Sequence, residues 1–316
     1  MNRAELHELD QVCGIDTIEI ATDIKLESKI NGISAKTPLQ ACGAHGFLYK
    51  YKVNPDKIIE GGGNSLDKFK QVLQYVAEHF KGATELFISR IDYRFDDMQN
   101  DYERFYKLNR LLLSVIATAY SSQNNYSSSD LLTAQKLTVR FDCDHNNLHI
   151  SGEYYNKARQ EPSGNVRARL ELRSRQLYIP FLDGCDYESF ILAEWLERLQ
   201  EVVTADNFST VIRNSTESLI DLYAKERAEF GNVTEFIACY RDNVYTSRQL
   251  TQLYSILNNA ETAKQCAYKY RHGDKKNNGR KLPCFSLADL QLYVDKLTAA
   301  AYKFFDSQTE SRHKAA

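Results

Sequence analysis

Three stretches of this chain alternate residue by residue, and in each of them one face is charged. Residues 89–96 (SRIDYRFD) place Arg90, Asp92, Arg94 and Asp96 on one face and Ile91, Tyr93 and Phe95 on the other. Residues 166–175 (VRARLELRSR) put Arg167, Arg169, Glu171, Arg173 and Arg175 on one face. Residues 148–157 (LHISGEYYNK) do the same with His149, Ser151, Glu153, Tyr155 and Lys157, leaving Tyr154 with Leu148, Ile150 and Gly152. A period of two is the signature of a strand. Ordinary half-buried strands turn small mixed polar groups outward. These turn out isolated carboxylates among arginines, beside a tyrosine and a lysine.

The rest of the first half predicts an α+β fold. Residues 15–24 and 46–53 alternate as further strands, and Gly61, Gly62, Gly63 and Asn64 break the chain. Residues 65–80 space Phe69, Val72, Leu73, Val76 and Phe80 as a helix does, and 105–119 are apolar enough for a second helix. Residues 121–130 read as a polar loop, and 136–142 pair with 148–157 as a hairpin. Hairpins and long helical crossovers together imply an antiparallel or mixed sheet with helices on one face. The charged side chains then line a palm-like open face. After Pro180 the pattern turns helical, at 187–203, 207–230, 233–240, 247–271 and 287–305. A boundary near Asp183 and Gly184 divides residues 1–183, holding the sheet, from an all-α region, 184–316.

Composition narrows the class. The 316 residues are 43% hydrophobic and 26% charged, which describes a globular protein. No apolar run reaches the ~20 residues that span a bilayer, and the polar N-terminus is no signal peptide. No membrane role is therefore expected. Seven scattered cysteines without CxxC spacing point to a reducing cytoplasm and away from a zinc site. A net charge of -2 gives no general pull on nucleic acid, so local charge matters more. Residues 264–281 carry Lys264, Lys269, Arg271, Lys275, Lys276, Arg280 and Lys281 against Asp274 alone.

Two carboxylates on neighbouring strands can share one divalent cation, and Asp92 and Glu171 each sit mid-strand on the charged face. Oxygen ligands suit Mg²⁺ or Mn²⁺. Tyr155 is the candidate nucleophile, with Lys157 two residues on to lower its pKa or neutralise phosphate charge. Arg90, Arg94, Arg169 and Arg173 are candidates for gripping phosphate, as are Lys264, Lys275, Lys276 and Arg280 for DNA. Spacing alone fits plainer readings as well. An Asp among arginines also makes a salt-bridge ladder. One of 20 tyrosines on a strand also makes packing, and a basic run also makes a solvated loop. His145 and His149 flank a turn and read as surface residues.

The order of the short motifs adds a resemblance. Residues 53–61 (VNPDKIIEG), ending in Gly63 and Asn64, precede Ser89-Arg90-Ile91-Asp92, then Tyr155-Asn156-Lys157, then Arg169-Leu170-Glu171-Leu172-Arg173. Over about residues 46–177 this series resembles the rolling-circle replication initiators of filamentous phages, the gene II protein type. It is similar also to the Rep_trans initiators of small Gram-positive plasmids. The resemblance implies a fold related to the HUH nucleases and a nick in one origin strand, with the 5′ phosphate held on tyrosine until rejoining. It assigns the nucleophile to Tyr155 and metal ligation to Asp92 and Glu171. This sequence has no His-hydrophobic-His pair, in keeping with a carboxylate site, and its Gly-x-Asn segment is expanded to a triple glycine. Origin DNA, single-stranded or melted at the nick, is the implied substrate, with a helicase as partner and a homodimer as one form. The reading is a replication initiator of a plasmid or phage, in a bacterial cytoplasm. A conjugative relaxase with the same chemistry and a non-catalytic DNA-binding regulator on the same scaffold remain alternatives.

Overall fold

The computed structural model describes residues 11–36, 49–97, 102–121, 138–145, 148–160, 166, 168–181, 199–272 and 282–305. Seven strands form one sheet: β1 (Gln11–Thr22), β2 (Ile33–Lys36), β3 (Tyr49–Val53), β4 (Leu86–Asp97), β5 (Thr138–His145), β6 (Leu148–Tyr155) and β7 (Ala168–Pro180). Their order across the sheet is β2-β3-β1-β4-β7-β6-β5. Every pairing with a resolved register is antiparallel. The three charged stretches become β4, β7 and β6, which lie side by side as their alternation requires.

Register turns alternation into rows. Cys13, Phe95, Leu170 and Tyr154 stand opposite one another on the apolar face, and so do Ile15, Tyr93, Leu172 and Gly152. These residues are buried, Tyr154 to 2% exposure. On the other face one row runs Asp96, Arg169, Tyr155, the next Arg94, Glu171, Glu153, and the third Asp92, Arg173, Ser151. Helices α1 (Pro55–Ile58), α2 (Leu66–His79) and α4 (Lys157–Gln160) are interspersed among the strands. Ser65 caps α2 by accepting from the Lys68 amide, and Phe69, Val72, Leu73 and Val76 form its buried stripe. Phe80, just past its end, packs its ring 5.2 Å from that of Tyr51 on β3.

The remaining helices are α3 (Tyr102–Ser121), α5 (Ala205–Glu226), α6 (Val233–Cys239), α7 (Ser247–Leu257), α8 (Ala263–His272) and α9 (Leu287–Phe305). The chain groups into two compact units, one built on the sheet and one on helices α3 and α5 to α8. Helix α3 belongs with the later helices, so the chain enters the helical unit before residue 183 and again after it. The division expected near Asp183 lies outside the described residues, as does most of the expected helix 187–203. The stretch 247–271, expected as one helix, is two, because Asn258 and Asn259 both return their amides to the Tyr254 carbonyl and stop α7. Among the described residues no helix is long and apolar enough to cross a membrane.

Candidate active site

The sheet brings together a cluster that the sequence held in four separate places. Tyr155, the last residue of β6, donates its hydroxyl to Oε1 of Glu171 on β7. Carboxylate oxygens of Glu171, Asp92 on β4 and Asp16 on β1 all lie within 4.8 Å of one another. Alternation places Tyr155 here and Tyr154 in the apolar layer, as expected.

Asp16 is the member that alternation misses. By strict period two it shares a face with Ile18 and Ile20, the core side. A β-bulge lies between Ile15 and Thr17, however, so that Ile15 faces Tyr93 and Thr17 already faces Asp92. The extra residue re-aims its side chain, which is what bulges commonly do. The Asp16 carboxylate thereby reaches Nη1 of Arg169 and comes 3.9 Å from Nη1 of Arg94.

Four arginines thread through the carboxylates. Arg90 grips Asp92 through Nε and Nη2, both at 2.6 Å, and sends Nη1 to Glu19 at 2.8 Å. Arg169 makes a similar fork on Asp96, at 2.6 and 3.0 Å. Arg173 binds Glu171 and Glu153 through one nitrogen, holding a like-charged cross-strand pair together. Arg94 reaches Asp56 at 2.6 Å and also Asn64. These placements differ from the phosphate-gripping role expected of the four arginines: each is committed to carboxylates, and Arg94 and Arg169 are each 4% exposed.

The glycine-rich motif explains part of that burial. Asn54 caps α1, with Pro55 at its first turn, and this sets Asp56 to bind both Arg94 and the Gly63 amide. Gly63 lies directly on β1, its carbonyl accepting from the Ile15 amide at 2.8 Å. A Cβ at Gly63 would overlap the Ile15 carbonyl oxygen, and one at Gly14 would overlap that of Gly63. Backbone lies on backbone here, which only glycine permits. The expected open palm is thus not what forms, since Asp92 is 2% and Glu171 4% exposed.

Burial shapes the chemistry. It pushes the Asp92 carboxyl up to about 6, against the hydrogen bonds and charge of Arg90 and the charge of Arg173. Burial, followed by the charge and hydrogen bond of Glu171, raises the Tyr155 phenol well above its ordinary range. Asp56 moves down despite burial, because Arg94, joined by the Gly63 amide and the charge of Arg169, outweighs the desolvation. Among the described residues these ion pairs join seven carboxylates to four arginines. Three crowded oxygen donors fit a hard divalent cation, and Asp16, Asp92 and Glu171 are the residues that would hold it.

The other expected site residues lie elsewhere. The strand ends at Tyr155, and Lys157 opens the short helix α4, so the alternation that gave it Tyr155's face does not extend to it. Lys264 is exposed on α8 of the helical unit. Lys275, Lys276 and Arg280 lie outside the described residues. A cavity of about 960 Å³ in the helical unit, lined in part by Arg213, Arg248 and Arg271, includes none of the sheet carboxylates.

No family model and no curated protein matches the sequence. A solved structure, described as that of a rolling circle replication initiator protein from Geobacillus stearothermophilus, aligns over 52% of this chain and 75% of its own, at 12% identity and a TM-score of 0.25.

Proposed function

We propose that this chain is a tyrosine-dependent DNA strand transferase that nicks and rejoins one strand at a replication origin, using Mg²⁺ or Mn²⁺. The observation that carries the reading is the hydrogen bond from Tyr155 to Glu171, made inside a cluster of three carboxylates from three strands. Tyr155 Oη attacks the scissile phosphorus while its proton passes to Glu171, its hydrogen-bond partner. The bond from phosphorus to the 3′ oxygen breaks, the 3′ oxygen takes a proton from water, and the 5′ phosphate stays on tyrosine. Attack by a 3′ hydroxyl reverses these steps and reseals the strand. A divalent cation on Asp16, Asp92 and Glu171 would act against the burial and the Glu171 charge that hold the phenol protonated, and would polarise the phosphate. Arg173 holds Glu171 in place, and Arg169 fixes Asp96 and Asp16 around it.

The test is cleavage of supercoiled DNA carrying the origin beside this gene, with Mn²⁺ or Mg²⁺, read as nicked circles and as protein bound to DNA in detergent. Tyr155→Phe should abolish both products and Tyr154→Phe should leave both. If Tyr155→Phe still cuts and still becomes attached, the assignment is wrong. A second reading is favoured by the burial of the same side chains: a structural ion-pair network on a non-catalytic DNA-binding protein. It requires that no variant and no metal produce any cleavage.

A further inference from the structure

The helical unit carries a second feature that the sheet chemistry does not use. Helices α7 and α8 are joined by residues 258–262, a connection held by the paired amide bonds to the Tyr254 carbonyl and by the Glu261 amide on Asn259 Oδ1 at 2.9 Å. Ala263, Ala267 and Tyr270 of α8 enter one core with Leu250, Leu253 and Tyr254 of α7 and with Phe236 and Ile237 of α6. Alanines at 263 and 267, one turn apart, let the α8 backbone come close to its neighbours. The opposite face of α8 is exposed and holds Lys264, Gln265, Tyr268, Lys269, Arg271 and His272, with no acidic residue on the helix. Tyr268, 65% exposed, has its ring stacked on His272 at 4.1 Å.

We propose that α7 and α8 form a helix-turn-helix whose second helix, α8, reads the major groove of duplex DNA through Lys264 and Gln265 and holds its phosphates through Lys269 and Arg271. The core-facing alanines fix the helix and leave its long polar side chains free to reach. In such pairs the residues near the start of the second helix meet base edges. Lys264 offers donors to guanine and Gln265 a bidentate match to adenine. Ten residues span roughly 15 Å, a helix of a size the B-form major groove admits. The A-form major groove of RNA is too narrow for side chains to read, which favours DNA as the occupant. Charge agrees, since the exposed face is cationic on a chain of net charge -2. The site is independent of the strand-transfer reading and stands whether or not Tyr155 cuts.

The experiment selects duplexes from a random-sequence library with the full-length chain. It then measures affinity by fluorescence anisotropy for the enriched duplex and a scrambled one, at several salt concentrations. One motif should emerge. Gln265→Ala and Lys264→Ala should each reduce the preference for it by about fivefold or more. Lys269→Ala should weaken both duplexes alike and lower the slope of log affinity against log salt by about 0.9. Tyr155→Phe should change none of these values, which keeps this test apart from the cleavage test. Unchanged thermal unfolding of the variants shows that the fold is intact, and Lys264→Glu serves where an alanine variant is unstable. Failure to bind duplex at 50 mM salt, enrichment of no motif, or equal binding by wild type and the folded α8 variants would each overturn the proposal.

Discussion

Asp92→Asn separates a site kept for chemistry from a network kept for stability. The Asp92 carboxyl rises from 3.8 to about 6 on folding, chiefly through desolvation. Between pH 4 and pH 6 the folded protein therefore retains a proton that the unfolded chain has released. Stability from this group is full below pH 4 and is lost as pH rises through 6. A shift of roughly two units corresponds to about 3 kcal/mol lost by pH 7, already net of the attraction of Arg90 and Arg173. Asparagine keeps the shape and removes the charge, so the metal-free variant should gain up to that amount at pH 7 and nothing at pH 4. At about 2–4 °C per kcal/mol, this is a rise of several degrees in melting temperature. The assay is thermal or urea unfolding of both proteins in EDTA from pH 4 to pH 7.5. With Mn²⁺ added the gap should close or reverse, since the wild type, keeping all three carboxylates, gains more from the bound metal. A variant less stable than wild type at pH 7.5 in EDTA would refute the reasoning. Arg90 and Asp92 would then be a structural pair whose rupture destabilises, as broken buried pairs do.

The remaining expectations concern the third carboxylate and the glycine contact. Asp16→Asn should leave the fold intact and weaken Mn²⁺ binding at least tenfold, measured as the loss of metal-induced stabilisation; wild-type affinity would exclude Asp16 as a ligand. Gly63→Ala should destabilise by about 2–4 kcal/mol in urea unfolding, because its methyl lifts the segment off β1 and strips Arg94 of Asp56 and Asn64. A cost under about 0.5 kcal/mol would show that the segment moves freely.

Legibility of the sequence followed the regularity of the backbone. From Arg90 onward in β4, and along the paired stretches of β6 and β7, the period of two holds and the face of each residue could be read directly, down to the choice between Tyr154 and Tyr155. Helix α2 was legible for the same reason, with Ser65 as its cap. Reading failed where geometry departs from a fixed period. Asp16 was hidden because a bulge is a mismatch between two strands and has no mark on either one alone. The break at Asn258 was passed over because apolar spacing continues on both sides of it. Exposure was illegible too. Charge on a strand face suggests solvent, and nothing in the local pattern shows that Asp56, Asn64 and the glycines fold over Arg94.

The bulge at Asp16 has a consequence for how this site tolerates insertions and deletions. Opposite Asp92, β1 uses two residues where β4 uses one. Removing one residue there would restore a regular ladder and leave every apolar partner of β1 in place. The apolar layer would keep its partners, while the carboxylate would be gone and the buried Arg169 and Arg94 would lose one of their ion pairs. Chain length in this short stretch is thus a variable separate from strand register, and a three-nucleotide deletion could remove the third carboxylate while the apolar pairing of β1 stays in place.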